Sequence, residues 1–187
     1  MQKFDVLIIG SGLAGQSAAL RLAPHCRVAL VSKRSLEDSA SGWAQGGIAA
    51  VLDSQDSIEA HIRDTLIAGA WLNDEQATRH VVENGRRVID WLIEQGVPFT
   101  KDSSGYHLTR EGGHSARRVI HVADATGFAV QDTLTKKVRA NPNITILEDH
   151  IAIDLITGNK LGQNDGRCYG AYVLNNRNGE VVTVGAR

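Results

Sequence analysis

Apolar residues near the start of the chain form short continuous runs, while those in the middle recur at helical spacing. The segments 4–9 and 27–32 contain consecutive valine, isoleucine and leucine residues, which is typical of strands buried on both faces of a parallel sheet. Between them, Leu13–Ala23 has helical character and is followed by Pro24. This order predicts a βαβ unit at the start of the chain.

The end of the chain predicts further strands. Ile144–Leu147 and Ile151–Ile156 are rich in residues that favour strands, and Tyr169–Leu174 follows them. A turn at Asn176–Gly179 then leads into Glu180–Val184, which predicts a β-meander. Because the sequence stops three residues after this strand, we expect the chain to be part of a longer domain that is incomplete at its C-terminus.

The first of the middle segments carries a helix start signal. Asp56 and Glu59 have the spacing of a capping box, in which Asp56 accepts from the first-turn amides and Glu59 reaches back. Ile58, Ile62 and Leu66 then recur every four residues on one face. A helix is therefore predicted from this point.

Two more helices are predicted, with an irregular segment between them. One runs from about Asp74 to Gln95 and ends at Gly96 before a proline. Its apolar face is predicted at 4-3-4 spacing, from Val81, Gly85, Val88 and Leu92. The other helix is Thr126–Ala140. The segment Thr100–Thr126 between them has no period and is rich in histidine and arginine, so it is predicted to be a loop that carries functional groups.

Composition and charge exclude several classes of protein. Twenty basic and 21 acidic residues leave a net charge of −1, so the basic footprint of a nucleic-acid-binding domain is absent. Cys26 and Cys168 are too few for a disulfide framework and form no CxxC pair. The apolar run Val6–Gly10 is too short for a signal sequence or a membrane span. We therefore expect a cytoplasmic protein with no nucleic-acid or membrane partner.

Glycine is enriched, with 19 in 187 residues against an average of about 7%. Gly10, Gly12 and Gly15 form a GxGxxG pattern that follows the first strand and opens the first helix, which is the context that gives this motif meaning. Gly10 allows the tight turn, Gly12 lets a pyrophosphate approach, and Gly15 lets the helix pack on the strand. The anion would bind to free amides at the helix N-terminus. The alternative is a glycine-rich turn that binds no ligand.

The end of the second strand departs from the usual NAD pattern. An NAD-binding fold offers Asp or Glu there, whereas this sequence has Ser32-Lys33-Arg34. Lys33 either holds a phosphate or ribose oxygen or is a solvated surface lysine. A second glycine-rich segment follows at 39–50. Its pair Gly46-Gly47 suits either a backbone that approaches a flat ligand or a tight turn between core elements.

Taken together, these segments resemble the FAD-binding half of the succinate dehydrogenase/fumarate reductase flavoprotein superfamily. The resemblance rests on residues 5–15 (DVLIIGSGLAG), 32–33 (SK) and 44–51 (AQGGIAAV). Residues 64–70 (DTLIAGA), 106–115 (YHLTREGGHS), 117–118, 121 and 123–127 (ADATG) are similar to its aspartate-oxidising branch. The predicted fold class is therefore α/β: a Rossmann-like FAD-binding domain with a parallel sheet, inserted helices and a β-meander. Residues 1–187 would be its N-terminal part, without the capping domain and the C-terminal helical domain.

The resemblance implies FAD as the cofactor, one per subunit. The residues that match its FAD-contacting segments are Gly10, Ser11, Gly12, Leu13, Ala14, Gly15, Lys33, Ala40, Ser41, Gly42, Trp43, Ala44, Gln45, Gly46 and Gly47. Membrane-bound members of the superfamily attach FAD covalently through a histidine just before the second glycine motif. Ala40 stands at that position here, so a non-covalent flavin is expected.

The resemblance also implies a reaction: oxidation of L-aspartate to iminoaspartate, with fumarate or oxygen as electron acceptor. The product feeds quinolinate and NAD synthesis, which suggests a functional link to quinolinate synthase. Glu111 matches the residue that orients the substrate through its amino group, where succinate-oxidising relatives have an apolar residue, and His114 borders the substrate. The alternative for Glu111 is a structural ion pair with Arg110, Arg117 or Arg118. The family's catalytic arginine would lie beyond Arg187, so no catalytic residue is assigned within the chain.

Two other functions stay open, namely a succinate dehydrogenase or fumarate reductase flavoprotein and a non-catalytic nucleotide-binding fragment. A metal site is not predicted. His107, His114 and His121 are seven residues apart, but Gly112-Gly113 interrupts any helix that would align them, and no cysteine or HExxH motif accompanies them.

Overall fold

Helices and strands follow the predicted order in the computed structural model, which describes residues 2–103 and 105–186. The strands are β1 (Gln2–Lys3), β2 (Val6–Ile9), β3 (Val28–Val31), β4 (Ile48–Ala49), β5 (Lys101–Asp102), β6 (Gly105–Tyr106), β7 (Leu108–Thr109), β8 (Val119–Ile120), β9 (Ile144–Leu147), β10 (His150–Thr157), β11 (Cys168–Asn175) and β12 (Val181–Gly185). The helices are α1 (Leu13–Leu22), α2 (Ile58–Ala68), α3 (Glu75–Gln95) and α4 (Thr126–Ala140). Short 3-10 turns lie at Ala40–Trp43 and Asn159–Leu161.

Residue contacts divide the chain into two units. Unit 1 consists of the residues up to Gly42 together with those from Gln131 onward, and unit 2 is Trp43–Val130. The first boundary, between Gly42 and Trp43, lies within the glycine-rich segment 39–50, and the second lies inside the helix α4. The end points of the predicted range, Met1 and Arg187, lie outside the described residues.

The predicted βαβ unit is confirmed in unit 1. Strands β2 and β3 pair in parallel, and β3 pairs in parallel with β9, giving the order β2-β3-β9. All four residues of the central strand β3 are buried, which explains its unbroken apolar sequence. Ala19 of α1, Leu30 of β3 and Val138 of α4 share one fully buried cluster. Burying a leucine or valine side chain contributes roughly 1.5–3 kcal/mol.

The predicted β-meander is also confirmed in unit 1. Strands β10, β11 and β12 form antiparallel pairs in chain order. Strand β1 then pairs in parallel with the outer edge of β12, with Gln2 opposite Val184. Strand β1 could not be predicted, because it consists of two polar residues. In the structure both are exposed. The last strand is therefore an interior strand of a four-stranded sheet.

Unit 2 is built on α2 and α3 with short strands beside them. Ile62 and Leu66 of α2 are buried together with Val82 of α3, so the predicted apolar face of α2 is confirmed. Strands β4, β8 and β7 form an antiparallel sheet in that order, and β5 pairs with β6. The prediction of a plain loop over 100–126 was therefore wrong in part, since two-residue strands are too short to show a period.

The predicted capping box at the start of α2 was wrong. Ser57 is the N-cap residue, and its hydroxyl accepts from the amide of Ala60 at 3.1 Å. Asp56 instead pairs with Arg118, and Glu59 pairs with Arg79 at 2.6 Å. Each carboxylate meets an arginine that is distant in sequence, so it is paired with a full positive charge rather than with a backbone amide.

The predicted apolar face of α3 was right at Leu92 and wrong at Val81 and Val88, because the other buried side chains lie one position later, at Val82 and Ile89. Val81 and Val88 are 69% and 43% exposed, whereas Val82, Ile89 and Leu92 are buried. Both sets repeat with helical spacing, so periodicity alone could not choose between them. The predicted end of the helix is confirmed, because Gly96 has a left-handed φ of +97°. Among the residues that the structure describes, no helix is both long and apolar enough to cross a bilayer.

Candidate functional site

Gly10 and Gly15 shape the loop between β2 and α1. Gly10 has a φ of +110°, and its amide donates to the carbonyl of Val31 at 2.9 Å. A Cβ atom at Gly15 would lie 1.9 Å from the carbonyl oxygen of Gly10, far inside van der Waals contact. The turn role predicted for Gly10 and the packing role predicted for Gly15 are confirmed.

The N-terminus of α1 is left open for an anion. Gly12 is the N-cap residue, none of the described side chains caps the helix, and its first turn contains no acidic residue. The first amides of a helix have no intrahelical acceptor and carry the positive end of the helix dipole. A Cβ atom at Gly12 would meet only the Ser41 hydroxyl, at 3.5 Å. This end of the helix therefore has both the space and the donors that a pyrophosphate requires.

A hollow of about 410 Å³ in unit 1 lies beside this loop. The predicted cofactor residues in its lining are Gly10, Ser11, Gly12, Lys33, Ala40 and Ser41. The exposed Lys33 follows β3 and places a cation in the lining. His150–Ala152 of β10 also lines the hollow and was not predicted. The donors, the cation and the shape fit a dinucleotide.

A buried polar cluster lies beneath the loop, and no pattern of residues along the chain predicted it. Gln16 and Gln131 both donate to the carbonyl of Ser11, at 3.0 Å and 3.3 Å. The hydroxyls of Ser11 and Ser32 are 2.6 Å apart. Gln131 lies 120 positions from Ser11, so local sequence patterns could not connect them.

The second glycine segment has a different environment. A Cβ atom at Gly47 in unit 2 would lie 2.3 Å from the carbonyl oxygen of Ile120. The close backbone approach at this position is therefore to β8 of the protein itself. At Gly46 the nearest atoms to a Cβ would be the carboxylate oxygens of Glu111, at 3.8 Å. Trp43, another predicted cofactor residue of this segment, is 79% exposed.

Glu111 faces a hollow of about 400 Å³ in unit 2. Its lining consists of Gln45, Gly46, Gly47, Thr109, Glu111, His121, Ala123 and Asp124. Predicted cofactor residues thus share a hollow with the predicted substrate residue Glu111. Within residues 2–103 and 105–186, Glu111 makes no ion pair. The alternative that Glu111 pairs with a neighbouring arginine is therefore not seen, and its carboxylate is available to a ligand.

The other predicted substrate residue, His114, does not line this hollow. Its Nδ1 lies 3.4 Å from Nη1 of Arg118, and its ring packs edge-on against His61 with centroids 5.6 Å apart. Its backbone amide donates to the carbonyl of Glu111 at 3.2 Å. His114 thus contacts the residues that hold the loop rather than the hollow that Glu111 faces.

Arg118 anchors the Glu111 loop in unit 2. It is fully buried, with its guanidinium 2.7 Å from Asp56 and 2.6 Å from Asp64. The same Asp64 oxygen also accepts from the amide and the hydroxyl of Ser115, both at 2.7 Å. Burial by itself would raise the pKa of Asp64, but the hydrogen bonds from Ser115 and Arg118 outweigh it and lower that pKa to about 2. Asp64 therefore stays ionised and ties Ser115 to α2.

Two of the three evenly spaced histidines meet in space. Nδ1 of His107 lies 2.8 Å from Nε2 of His121, and Nδ1 of His121 lies 3.3 Å from the carbonyl of Ala123. The pairing of β7 with β8 brings them together, rather than a shared helical face. Across the described ranges, no group of three or more His, Cys, Asp or Glu side chains could hold a metal ion.

Comparison with known proteins agrees with the shape of the loop after β2. A family model described as an FAD binding domain matches residues 5–187. The chain is 63% identical over 97% of its length to L-aspartate oxidase 1 of Ralstonia nicotianae and 56% identical over 98% to L-aspartate oxidase of Pseudomonas aeruginosa. It covers 34% and 36% of those two proteins, so the chain spans about a third of the length of the curated relatives it matches.

The fold agrees with that of a solved flavoprotein. All of the chain superposes on 32% of an E. coli quinol fumarate reductase FrdA, with a TM-score of 0.90 and 31% identity. The predicted fold class is thereby confirmed. The predicted cofactor, FAD, is also confirmed, because the matched family is an FAD binding domain. The chain belongs to the FAD binding domain family.

Proposed function

We propose that this chain supplies the flavin-binding loop and the substrate-ammonium site of an L-aspartate oxidase. The enzyme would oxidise L-aspartate to iminoaspartate and pass the electrons to fumarate or oxygen. The names and identities of the curated relatives support this proposal. The catalytic arginine, the capping domain and the C-terminal helical domain of such an enzyme are expected outside residues 1–187. A functional link to quinolinate synthase and a cytoplasmic location belong to the same proposal.

The observation that carries the proposal is the carboxylate of Glu111, which lines the hollow of unit 2 and makes no ion pair with any residue that the structure describes. L-Aspartate differs from succinate by one ammonium group, so a site that prefers aspartate needs an anion at that position. Asp124 adds a second carboxylate to the lining. Bound FAD would supply the two-electron acceptor for the amine. The chain's own contribution is to hold the ammonium group and so orient the carbon that is oxidised.

Replacing Glu111 with glutamine is expected to lower kcat/KM for aspartate by about 10- to 100-fold, because a charge-assisted pair is worth roughly 1.5–3 kcal/mol. Fumarate has no ammonium group, so its reduction should change little. Both reactions are measured on one flavin-loaded preparation of a protein that has the full length of the relatives.

A matched variant, Glu94→Gln, removes an exposed carboxylate from α3 and should leave both reactions unchanged. Equal losses of aspartate oxidation and fumarate reduction in the Glu111 variant would contradict the role proposed for Glu111.

A second candidate function is that of a succinate dehydrogenase or fumarate reductase flavoprotein, favoured by the superposition on FrdA. Two residues speak against it. Ala40 occupies the position where membrane-bound members of the superfamily carry a flavin-attaching histidine, and Glu111 replaces their apolar residue. Oxidation of succinate in preference to aspartate would support this second candidate.

The flavin is expected to be bound without a covalent link. The chain should purify yellow, with absorbance near 450 nm from its flavin, and denaturation followed by filtration should release all of that colour. Flavin retained on the denatured polypeptide would contradict the non-covalent assignment. A folded but colourless chain that takes up no added FAD would contradict the cofactor proposal itself.

A further inference from the structure

The buried amides of Gln16 and Gln131 hold the Ser11 carbonyl in a fixed direction. Gln16 has no solvent exposure and Gln131 is 3% exposed. Each uses one Nε2–H on this carbonyl. The second Nε2–H of Gln16 goes to the hydroxyl of Thr135 at 3.0 Å, and that of Gln131 to the carbonyl of Leu36 at 2.9 Å. All four amide hydrogens are therefore committed to acceptors inside unit 1.

The orientation of the Gln131 amide follows from the chemistry of its neighbours. Both groups that face its nitrogen are backbone carbonyls, which only accept hydrogen bonds. Turning the amide over would place its oxygen against two other oxygens. In the observed orientation, Oε1 of Gln131 is buried and has no hydrogen-bond donor among the described residues, and leaving an acceptor unsatisfied is unfavourable. The side chain bears that cost while it supplies donors to Ser11 and Leu36.

The direction of the Ser11 carbonyl determines where the next amide points. The described peptide bonds are all trans, and in a trans peptide the C=O and N–H groups point in opposite directions. With the Ser11 oxygen turned into the buried cluster, the N–H of Gly12 points the other way. Gly12 is the N-cap residue of α1 and lines the hollow of about 410 Å³.

We propose that Gln16 and Gln131 are positioning residues for the cofactor: by fixing the Ser11–Gly12 peptide, they aim the Gly12 N–H at the pyrophosphate. This inference rests on the proposed flavin site. Gln131 comes from α4, so the phosphate-binding amide depends on a helix that begins more than one hundred residues after the loop.

The test compares ADP, which contains the pyrophosphate, with adenosine, which lacks it. Gln131→Met keeps the length of the side chain but removes both donors. We expect it to weaken ADP binding to the chain about tenfold, because one charge-assisted hydrogen bond to the pyrophosphate is lost. Adenosine binding should change by less than about twofold. The NMR signal of the Gly12 amide, which should shift strongly when ADP binds the original chain, should shift less in the variant.

The control is Val138→Ala, which removes buried methyl groups from α4 two helical turns after Gln131 and leaves the hydrogen bonds of Gln16 and Gln131 in place. It should retain ADP affinity. If Gln131→Met does not fold, Gln16→Met carries the test, since Gln16 donates to the same carbonyl. Equal ADP affinity of variant and original chain, or an equal loss for ADP and adenosine, overturns the positioning role. If the original chain binds neither ADP nor FAD, the proposed flavin site itself is overturned.

Discussion

Replacing Arg118 with methionine is expected to lower the free energy of unfolding by about 3–5 kcal/mol. Methionine fills much of the same volume but leaves Asp56 and Asp64, 2% and 14% exposed, without their cation. Burial would then raise the pKa of both carboxyl groups. The loss should be largest at neutral pH and smaller in acid, where the carboxyl groups become neutral. Urea unfolding of the variant and the original chain, at neutral pH and in acid, measures the loss of stability and its dependence on pH.

Arg79→Met is the matched control in the same unit. Arg79 also contacts a carboxylate at 2.6 Å, that of Glu59, but its side chain is 38% exposed and that of Glu59 is 71% exposed. Exposed pairs contribute about 0–1 kcal/mol, so this variant should lose no more than that. Equal, small losses of unfolding free energy in the two variants would contradict the prediction that the burial of Arg118 makes its ion pairs important for stability.

Replacing Gly15 with alanine is expected to have the largest effect on cofactor binding. The added methyl group would lie 1.9 Å from the Gly10 carbonyl oxygen, and both partners are backbone, so α1 and the preceding loop must separate. We expect a loss of about 3 kcal/mol in stability. ADP affinity should fall by at least about 100-fold, because two or more charge-assisted contacts to the pyrophosphate are misaligned together. Calorimetric titration with ADP and thermal unfolding measure the two effects.

Gly112→Ala provides the comparison for that substitution. No atom lies within 4 Å of a Cβ built at Gly112, and its φ is not in the left-handed region. Its stability and ADP affinity should therefore be close to those of the original chain. A Gly15→Ala variant that binds ADP as tightly as Gly112→Ala would contradict the packing role of Gly15.

Much of unit 1 could be predicted because its signals are local. The run of valine and leucine in β3 indicated a strand buried on both faces, and the spacing of Gly10, Gly12 and Gly15 indicated the turn that follows β2. The boundaries of α4, and in unit 2 the glycine that ends α3, also followed from adjacent residues. Each of these features depends on the backbone preferences of a residue and of its neighbours within a few positions. Such preferences can be inferred from the residue types alone.

The failures share a different cause. Asp56 has the spacing of a helix cap, but a distant guanidinium outcompetes that use of its carboxylate. Val81 and Val82 each belong to a set of apolar residues with helical spacing. Which of the two is buried is decided by the packing of α2 against α3. For the glycine pair at 46–47 the sequence left open a ligand or a close approach within the protein, and the structure shows such an approach between Gly47 and the carbonyl of Ile120.

By itself, the sequence determined the βαβ unit, the glycine loop that follows β2 and the resemblance to a flavoprotein family. Only the tertiary structure decided that Gln131 supports the Ser11 carbonyl, that Arg118 joins Asp56 and Asp64, and that Glu111 has no ionic partner among the described residues. The physical reason is that hydrogen bonds and ion pairs between buried groups depend on distances of a few ångströms. Those distances are set by how whole elements pack, across separations of 54 to 120 residues in the chain.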